Sequence, residues 1–514
     1  MPVPALPAVG IDDMAAYLPA LYLPIKDLAA ARDLNYAKLN KGLGLNKMAI
    51  LDTNEDAATL AANAVLDLIH KSDLDPRKIG RIYMGTESAL DGAKPTATYM
   101  LDMLQDHFSH EYGPNCFLHC DVVDLTFACI GAVDALQNTL DWVRNGSDRI
   151  GIVVAADEAK YELGSEGEYT QGAGAVAMLV KQNPRLLVIA DEPGVATRPA
   201  HDFYKPLRYV SKRELVEEVL RMLPEGAAKG VDVNQLVEHL GEGIDVKGVL
   251  DCNEARLCLH KATPIFDGPY SNDCYQARIN EALTDYRRKN GSEAGELMNN
   301  WKRLVFHLPY AYQARRMFAE IFMSEMKAVD KWTDFIVNHQ LDVPCADTFE
   351  NREAYMANCS EFLRQVTKTD VYREFVHDKI ERGERASSDV GNLYAGSIFL
   401  SLMSTLEADY REGNELANDH IGFFAYGSGS KSKVLTATVL PGWRDVVQDF
   451  HLTARLENRQ AIDYDTYEDL HRGRRTKAVS HRQEGAFFLA DVHDVRDNLT
   501  EGIRHYGYRT GVMS

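Results

Sequence analysis

The segment FLHCDVVDLTFACIGAVDALQNTLDWV, residues 117–143, places a cysteine between two regular elements. Its apolar first half predicts a strand over residues 117–128 that runs straight into Cys129. After Cys129, apolar residues recur at steps of three and four, which predicts a helix that ends near Gly146. Free N–H groups at a helix N-terminus stabilise a thiolate, so Cys129 is a candidate nucleophile with a lowered pKa. A buried structural cysteine would fit the same local pattern.

Helices and strands alternate on both sides of this unit. Buried strands with helices between them favour a mostly parallel or mixed sheet that is covered on both faces. No Ser/Gly-rich linker interrupts the pattern, so we expect one compact body. Strand-length apolar runs lie at residues 79–85, 149–155, 173–179, 304–307, 421–426 and 434–439, and helical spacing lies at 57–70, 94–107, 311–326 and 391–406.

Residues 207–261 differ from the rest in being charged, helix-prone and rich in Glu, Lys and Leu. We interpret them as a helical insertion or lid. Cys252, Cys258 and His260 fall in this segment, but no CxxC pair or second histidine at ligand spacing accompanies them. The expectation is a surface segment and no metal site.

Composition narrows the classes of function. The chain has 514 residues, 45% of them hydrophobic and 26% charged, which is typical of a soluble globular protein. Its 56 basic and 76 acidic side chains give a formal charge of −20, so a nucleic-acid partner is not expected. Neither a secretory signal nor a membrane-length apolar run is evident, and eight cysteines are too few for a disulfide scaffold. These features together predict a cytoplasmic protein with reduced thiols.

Three further polar positions follow predicted strands. Glu87 comes two residues after the run at 79–85, and His307 ends the run at 304–307. The turn around Ser428 follows the run at 421–426 and supplies flexible backbone between two glycines. Each signal is weak alone: a surface carboxylate, a satisfied core histidine and an ordinary turn would look the same.

Taken in order along the chain, these pieces resemble the 3-hydroxy-3-methylglutaryl-CoA (HMG-CoA) synthase family of the thiolase superfamily. TQGAGAVAM is especially similar to bacterial members. The matching motifs are GLGLNKM (42–48), MGTES (84–88), the Cys129 segment, ADEAKY (156–161), TQGAGAVAM (170–178), DFYKP (202–206), FDG (266–268), FHLPY (306–310), GNLY (391–394) and YGSG (426–429).

The resemblance implies a thiolase-like five-layered αβαβα fold built from two similar halves. The halves are expected at residues 1–185, with Cys129, and at residues 186–514, with His307 and the insertion at 207–261. Members of the family are dimers, so a homodimer is expected. The implied enzyme is an acyltransferase that condenses acetyl-CoA with acetoacetyl-CoA to HMG-CoA in the mevalonate pathway of isoprenoid biosynthesis, with CoA thioesters as substrates and no cofactor.

The resemblance also implies roles for single residues. Cys129 would carry the acetyl group as a thioester, Glu87 would act as general acid and base, and His307 would polarise the acceptor ketone. Asn392 would assist His307, and the backbone N–H groups of Cys129 and Ser428 would form an oxyanion hole. The expected contacts to the acyl substrate come from Asn392, Ser428, Asp157, Tyr161, Thr170, Phe203 and Ser271. The expected contacts to CoA come from Arg316, Lys47 and Tyr312.

This sequence departs from the family pattern at a few positions. Tyr312 stands where the family usually has lysine, and Arg316 keeps a positive charge one turn further on. Ile130 and Val133 are expected to make the wall of the acyl pocket more apolar. These differences leave open a second function, the same chemistry on acyl chains tethered to an acyl carrier protein in polyketide β-branching. A third possibility, an inactive thiolase-like scaffold, would need none of the candidate catalytic residues.

Overall fold

A computed structural model describes residues 8–224, 226–227, 229–239, 256–480, 484–493 and 499–510. Within them the strands are β1 (Val9–Tyr17), β2 (Leu21–Pro24), β3 (Lys47–Ile50), β4 (Ile79–Gly85), β5 (Asp121–Leu125), β6 (Ile150–Ala159), β7 (Gly172–Gln182), β8 (Leu187–Ile189), β9 (Gly194–Thr197), β10 (Phe203–Tyr204), β11 (Arg208–Ser211), β12 (Arg256–Leu259), β13 (Ile265–Phe266), β14 (Trp301–Phe306), β15 (His420–Gly427), β16 (Lys431–Val439), β17 (Gln460–Ala461), β18 (Ala486–Val492) and β19 (Arg504–Arg509).

The α-helices in the same residues are α1 (Ile25–Ala31), α2 (Ala57–Lys71), α3 (Thr96–Tyr112), α4 (Gly131–Arg144), α5 (Lys212–Met222), α6 (Val233–His239), α7 (Gly268–Asn290), α8 (Glu296–Asn299), α9 (Gln313–Met317), α10 (Ala319–Ala328), α11 (Trp332–Asn338), α12 (Arg352–Val366), α13 (Asp370–Lys379), α14 (Glu381–Val390), α15 (Ser397–Glu412), α16 (Trp443–Val447), α17 (Leu452–Glu457) and α18 (Tyr464–His471). None of the described helices is long and apolar enough to cross a membrane.

Ten of the described strands form one sheet in the order β14–β15–β16–β8–β1–β7–β6–β4–β5, with β9 also paired to β16, and the other described strands pair in four small sheets. Each half repeats one pattern. In the first half β4 is parallel to β6, and β7 follows antiparallel to β6. In the second half β14 is parallel to β15, and β16 follows antiparallel to β15. The fold is thiolase-like, as predicted.

Successive side chains along each strand face opposite sides of the sheet, and this alternation produces the layers. Val176 and Met178 of β7 face a central core that contains α4 and α15, whereas Ala177 between them faces α2 and α3. In β15, Phe423 faces the same central core, whereas Phe424 faces α7 and α10. Two sheet halves therefore enclose a middle pair of helices and carry further helices outside, which gives five layers.

Several predicted boundaries shift in the structure. The predicted helix at 311–326 is two helices, α9 and α10, and the one predicted at 391–406 begins only at Ser397 as α15. Gly391 has φ 88°, in the left-handed region, so the chain turns there before the helix starts. Asn145, rather than Gly146, caps α4.

The insertion at 207–261 contains strands as well as helices. β11 pairs antiparallel with β12, and α5 and α6 lie between them in the sequence. The sequence pattern indicated the helices and missed the strands, which are short. Cys252 lies outside the described residues.

We expect Leu402→Ala to destabilise the fold. Leu402 is fully buried in the central layer on α15, and truncation there leaves a cavity between the two sheet halves. The loss should be about 2–5 kcal/mol in the free energy of unfolding, measured by urea denaturation. Leu118→Ala is the matched control, because Leu118 is 65% exposed and the same atoms are removed. Equal losses in both variants would contradict the layer assignment.

Candidate active site

A cavity of ≈ 270 Å³ is lined by residues from both halves of the chain. It gathers most of the residues that the sequence singled out. Those that line it are Cys129, Tyr161, Thr170, Phe203, Ser271, His307, Arg316, Asn392 and Ser428. Glu87, Asp157, Lys47 and Tyr312 are not among its lining residues.

Cys129 sits in a turn rather than at the end of a long strand. β5 ends at Leu125, and α4 begins at Gly131, so the prediction of a strand through residue 128 was wrong. The physical reason is Ala128, whose φ of 41° lies in the left-handed region that non-glycine residues rarely adopt. This turn presents the side chain of Cys129 to the cavity just before the helix.

Two close backbone contacts bring the strand ends to this turn. A Cβ on Gly85 would lie 2.2 Å from the backbone nitrogen of Ala132, so only glycine lets β4 approach the start of α4 this closely. A Cβ on Gly427 would lie 2.8 Å from the carbonyl oxygen of Phe127. Glu87 and Ser428, which follow these glycines, are thereby held beside Cys129.

The Cys129 thiol donates a hydrogen bond to Glu87 Oε1 at 3.0 Å. Burial, and next the Glu87 carboxylate, raise the pKa of Cys129 well above its usual value. The expectation of a lowered pKa was therefore wrong, because desolvation and a neighbouring negative charge outweigh the helix N-terminus. Burial likewise raises the pKa of Glu87. The pair is suited to proton transfer from the thiol to the carboxylate when a substrate arrives, rather than to a resting thiolate.

Asp157 lies behind Glu87 and is fully buried. Its Oδ1 accepts hydrogen bonds from the backbone N–H of Glu87 at 2.7 Å and from the hydroxyls of Thr86 and Ser88 at 3.0 Å each. Its Oδ2 accepts one from the backbone N–H of Ala395 at 3.0 Å. Burial, with the Glu87 charge next, raises the pKa of Asp157 to about 7. The structure therefore makes Asp157 a support for the Glu87 turn.

His307 follows β14 and is buried at the cavity wall. Burial lowers its pKa to about 3, so the ring is neutral at physiological pH. Its Nδ1 is buried with no hydrogen-bond partner among the described residues. Its carbonyl oxygen accepts a hydrogen bond from the Tyr275 hydroxyl at 2.9 Å. A neutral imidazole at the cavity wall can hydrogen-bond a polar atom of a ligand without adding charge to the site.

Asn392 is held by its own backbone and its side-chain oxygen. The Asn392 N–H donates to the carbonyl of Thr170 at 2.8 Å, and Asn392 Oδ1 accepts from the N–H of Tyr394 at 2.9 Å. These bonds fix the side chain, and the cavity wall includes this residue.

Asp202 is a site residue that the sequence reasoning did not single out. It is fully buried and accepts hydrogen bonds from the Tyr426 hydroxyl at 2.6 Å and from the Gly429 N–H at 2.8 Å. The Ser271 hydroxyl also donates to it, at 3.4 Å. Asp202 thus holds the turn that carries Ser428. The DFYKP motif was the signal that could have found it.

Aromatic rings line the cavity near Cys129. The Tyr161 ring lies 6.3 Å from that of Phe203 and 5.3 Å from that of Phe266, and Phe203 lies 5.8 Å from Tyr394, all in edge-on geometry. Ile130 and Val133, by contrast, pack into the central core and do not line the cavity. The expectation that they form the pocket wall was wrong, because α4 turns their side chains toward the sheet.

Two cations line the cavity, the exposed side chains of Arg316 and Lys38. Lys38 was missed, because it is an exposed residue at the start of the short π-helix Lys38–Gly42, where no motif marks it. Lys47 is instead paired with Asp389 at 3.4 Å. The ring of Tyr312 packs against Arg315, whose guanidinium carbon is 3.9 Å from the ring centroid.

A second cleft of ≈ 330 Å³ lies on another side of Glu87. Lys205 lines this cleft and places its Nζ 3.6 Å from Glu87 Oε2. Among the described residues, no group of three or more His, Cys, Asp and Glu side chains could hold a metal ion.

Comparison with known proteins follows the same division of the chain. The family model described as "Hydroxymethylglutaryl-coenzyme A synthase N terminal" matches residues 6–184, and the model described as "Hydroxymethylglutaryl-coenzyme A synthase C terminal" matches residues 259–493. The chain is 28% identical over 469 residues to a hydroxymethylglutaryl-CoA synthase of Haloferax volcanii, covering 90% of this chain and 91% of that protein. It is 26% identical over 461 residues to one of Enterococcus faecalis, covering 90% of each.

Solved structures of hydroxymethylglutaryl-CoA synthases share the fold of this chain. The chain resembles MvaS in complex with 3-hydroxy-3-methylglutaryl coenzyme A, with a TM-score of 0.71, 25% identity and coverage of 98% of this chain and 100% of that one. The curacin biosynthetic pathway HMG synthase in complex with apo donor-ACP shares the fold, with a TM-score of 0.67, 19% identity and coverage of 97% and 99%. Since the two family models together match most of its length, the chain belongs to the hydroxymethylglutaryl-CoA synthase family.

Proposed function

We propose that this chain condenses acetyl-CoA with acetoacetyl-CoA to give HMG-CoA through an acetyl-cysteine intermediate. The observation that carries the proposal is the hydrogen bond from the Cys129 thiol to Glu87, next to a cavity that also contains a neutral His307. An inactive scaffold would have no use for a carboxylate in contact with a thiol that lines the cavity.

The first step is acetyl transfer. Cys129 Sγ gives its proton to Glu87 Oε1 and attacks the thioester carbonyl of acetyl-CoA. The backbone N–H groups of Cys129 and Ser428 stabilise the oxyanion, and the carbon–sulfur bond to CoA breaks. Glu87 then passes the proton to the leaving sulfur, which restores the carboxylate and leaves acetyl-Cys129.

The second step forms the carbon–carbon bond. Glu87 removes a proton from the acetyl methyl group, and the resulting enolate carbon attacks the ketone of acetoacetyl-CoA. His307 and Asn392 stabilise the negative charge that develops on the ketone oxygen. Glu87 then gives this oxygen the proton that it removed from the methyl group, which restores the carboxylate. Water finally hydrolyses the thioester to Cys129 and releases HMG-CoA and the free thiol.

The acyl group is packed by aromatic side chains and oriented by hydroxyls. Phe203 and Tyr161 close the space beside Cys129, and Thr170 and Ser271 contribute hydroxyl groups to the same wall. Asp157 acts through Glu87, because it binds that residue's own N–H.

We infer that CoA phosphates meet Arg316 and Lys38, the two cations that line the cavity. Lys47 and Tyr312 do not line the cavity, so we assign neither of them a phosphate contact. The alternative acceptor is an acyl chain on a carrier protein, and the donor-ACP complex of the curacin synthase supports keeping it as a test outcome.

We also propose the domain division, the oligomeric state and the location of the enzyme. Division of the chain near residue 185 is supported by the repeated strand pattern on either side. A homodimer follows from the family resemblance. A cytoplasmic place in the mevalonate pathway is supported by a Gallus gallus relative named as the cytoplasmic synthase, 26% identical over 483 residues.

The first prediction from the proposed function concerns the nucleophile. Radiolabelled acetyl-CoA should acylate the native enzyme, and Cys129→Ala should take up no label, since the thiol that carries the acetyl group is gone. Cys116→Ala and Cys120→Ala are the controls, because both residues are nearby in the sequence and neither lines the cavity. Scintillation counting of the quenched protein is the readout. Full labelling of Cys129→Ala would assign the acetyl group to another residue.

The second prediction concerns Glu87→Gln. At neutral pH both steps should slow, because the thiol and the acetyl methyl lose their base, and condensation should fall by about 10²–10⁴. Raising the pH should restore acetylation, since Cys129 then loses its proton to solvent, but should leave condensation slow. Single-turnover quenched flow separates the two steps. Glu162→Gln is the control, an exposed carboxylate that pairs with Lys261. Normal condensation by Glu87→Gln would refute its role.

The third prediction concerns the acceptor. Arg316→Ala should weaken the binding of free acetoacetyl-CoA and raise its KM about fivefold. This is the effect expected for the loss of about 1 kcal/mol from one exposed charge–phosphate contact, and it should be smaller at high salt. Arg474→Ala is the control, because Arg474 is exposed and paired with Asp469. Steady-state kinetics with free acetoacetyl-CoA and with an acetoacetyl carrier protein provide the comparison. Turnover confined to the carrier-bound acceptor would replace the mevalonate assignment with the polyketide one.

A further inference from the structure

Lys205 is a partly buried cation that the mechanism above does not use. It follows β10, its side chain is 14% exposed, and its Nζ lies 3.6 Å from Glu87 Oε2. The same ammonium donates to the Glu87 carbonyl oxygen at 3.4 Å. It also lies 4.6 Å from the centroid of the Tyr394 ring, a contact that stabilises a cation.

Lys205 approaches Glu87 from the second cleft, whereas Cys129 approaches it from the acyl cavity. Glu87 therefore lies between a thiol and an ammonium group. A substrate that fills the acyl cavity does not have to displace Lys205. The positive charge of Lys205 can therefore act on Glu87 both in the free enzyme and throughout the reaction.

The charges around Glu87 are unbalanced without Lys205. A carboxylate, a second carboxylate and a thiol that must become a thiolate share one desolvated site, and adjacent like charges disfavour ionisation. Among the described residues, the titratable and charged groups that face Glu87 are Cys129, Asp157, Tyr161, Tyr394, Lys205 and His260. Lys205 supplies the nearest positive charge of this group.

We propose that Lys205 is a positioning residue that holds Glu87 in its ionised form and in contact with Cys129, so that Glu87 is ready to act as a base. The proposal rests on the proposed function for the role of Glu87. It explains how a buried carboxylate can accept protons at neutral pH. Consistent with it, Lys205 opposes the rise that burial causes in the pKa of Glu87, and does the same for the pKa of Asp157 and Cys129.

The direct test measures the pH dependence of Cys129 alkylation by iodoacetamide, read for the Cys129 peptide by mass spectrometry. Loss of a cation raises the pKa of the thiol, so the alkylation profile of Lys205→Met should move to higher pH and its alkylation at a fixed pH below the midpoint should be slower than in the native enzyme. Lys205→Arg keeps the charge and should stay near the native midpoint. Lys205→Gln repeats the test with a polar side chain if the methionine variant does not fold.

Lys181→Met is the matched control. Lys181 pairs with the buried Asp12 at 3.1 Å, and Asp12 keeps Arg185 at 2.8 Å, so a lysine–carboxylate pair is lost outside the site. This variant should leave the alkylation midpoint unchanged. An unchanged midpoint in Lys205→Met and Lys205→Gln, or an equal shift in Lys205→Arg, would overturn the proposal.

A second readout links Lys205 to turnover. In Lys205→Met the acidic limb of the pH profile for the condensation rate should move to higher pH. At a fixed pH below the native limb, the condensation rate should therefore be at least about tenfold lower than in the native enzyme. Recovery in Lys205→Arg distinguishes charge from packing. The alkylation midpoint is measured without CoA substrates, so it tests Lys205 even if the native chain proves unable to condense acetyl-CoA with acetoacetyl-CoA. A limb that stays in place, with only the maximal rate lowered, would overturn the positioning role.

Discussion

The carboxylate of Asp157 joins the two halves of the site. One oxygen binds the turn after β4, through the Glu87 N–H and two hydroxyls, and the other binds the Ala395 N–H just before α15. A buried carboxylate that satisfies several donors is costly to disturb, because the N–H groups of Glu87 and Ala395 would then lose their acceptor. The position of Glu87 relative to Cys129 and Asn392 depends on this one group.

Desolvation dominates the electrostatics of the site. Burial raises the pKa of Cys129 and Glu87 and lowers the pKa of His307 to about 3, so each group is biased toward its neutral form. A neutral histidine donates a hydrogen bond without adding charge. A thiol that stays protonated until a base takes its proton is also protected from oxidation and alkylation. The ammonium group of Lys205 lies next to Glu87 and favours the ionised form of its carboxylate, which opposes the effect of burial.

Much of the fold could be predicted from the sequence, because buried strands and amphipathic helices leave direct periodic patterns. The run at 79–85 and the helix after Cys129 both lie close to where they were expected. The turn at Ala128 could not be found this way, since alanine carries no signal for a left-handed conformation. β11 and β12 were missed because each has only four residues.

Site residues could be predicted where they belong to a sequence motif. They could not be predicted where only the fold brings them close together. Cys129, His307 and Asn392 line one cavity, as the resemblance implied. Lys205 and Glu87 are 118 residues apart, and no local pattern indicates that their charged groups meet. Lys47 shows a further limit of the sequence: its motif predicts a CoA contact, which stays a prediction, and gives no indication of its ion pair with Asp389.

The most direct test of the central claim is mass spectrometry of the Cys129 peptide from enzyme quenched during turnover with acetyl-CoA and acetoacetyl-CoA. The account predicts two covalent species on Cys129, an acetyl thioester and a thioester of 3-hydroxy-3-methylglutaryl-CoA that still carries the CoA group, whose proportions change with acetoacetyl-CoA concentration. Turnover to HMG-CoA with Cys129 unmodified at every time point would contradict it.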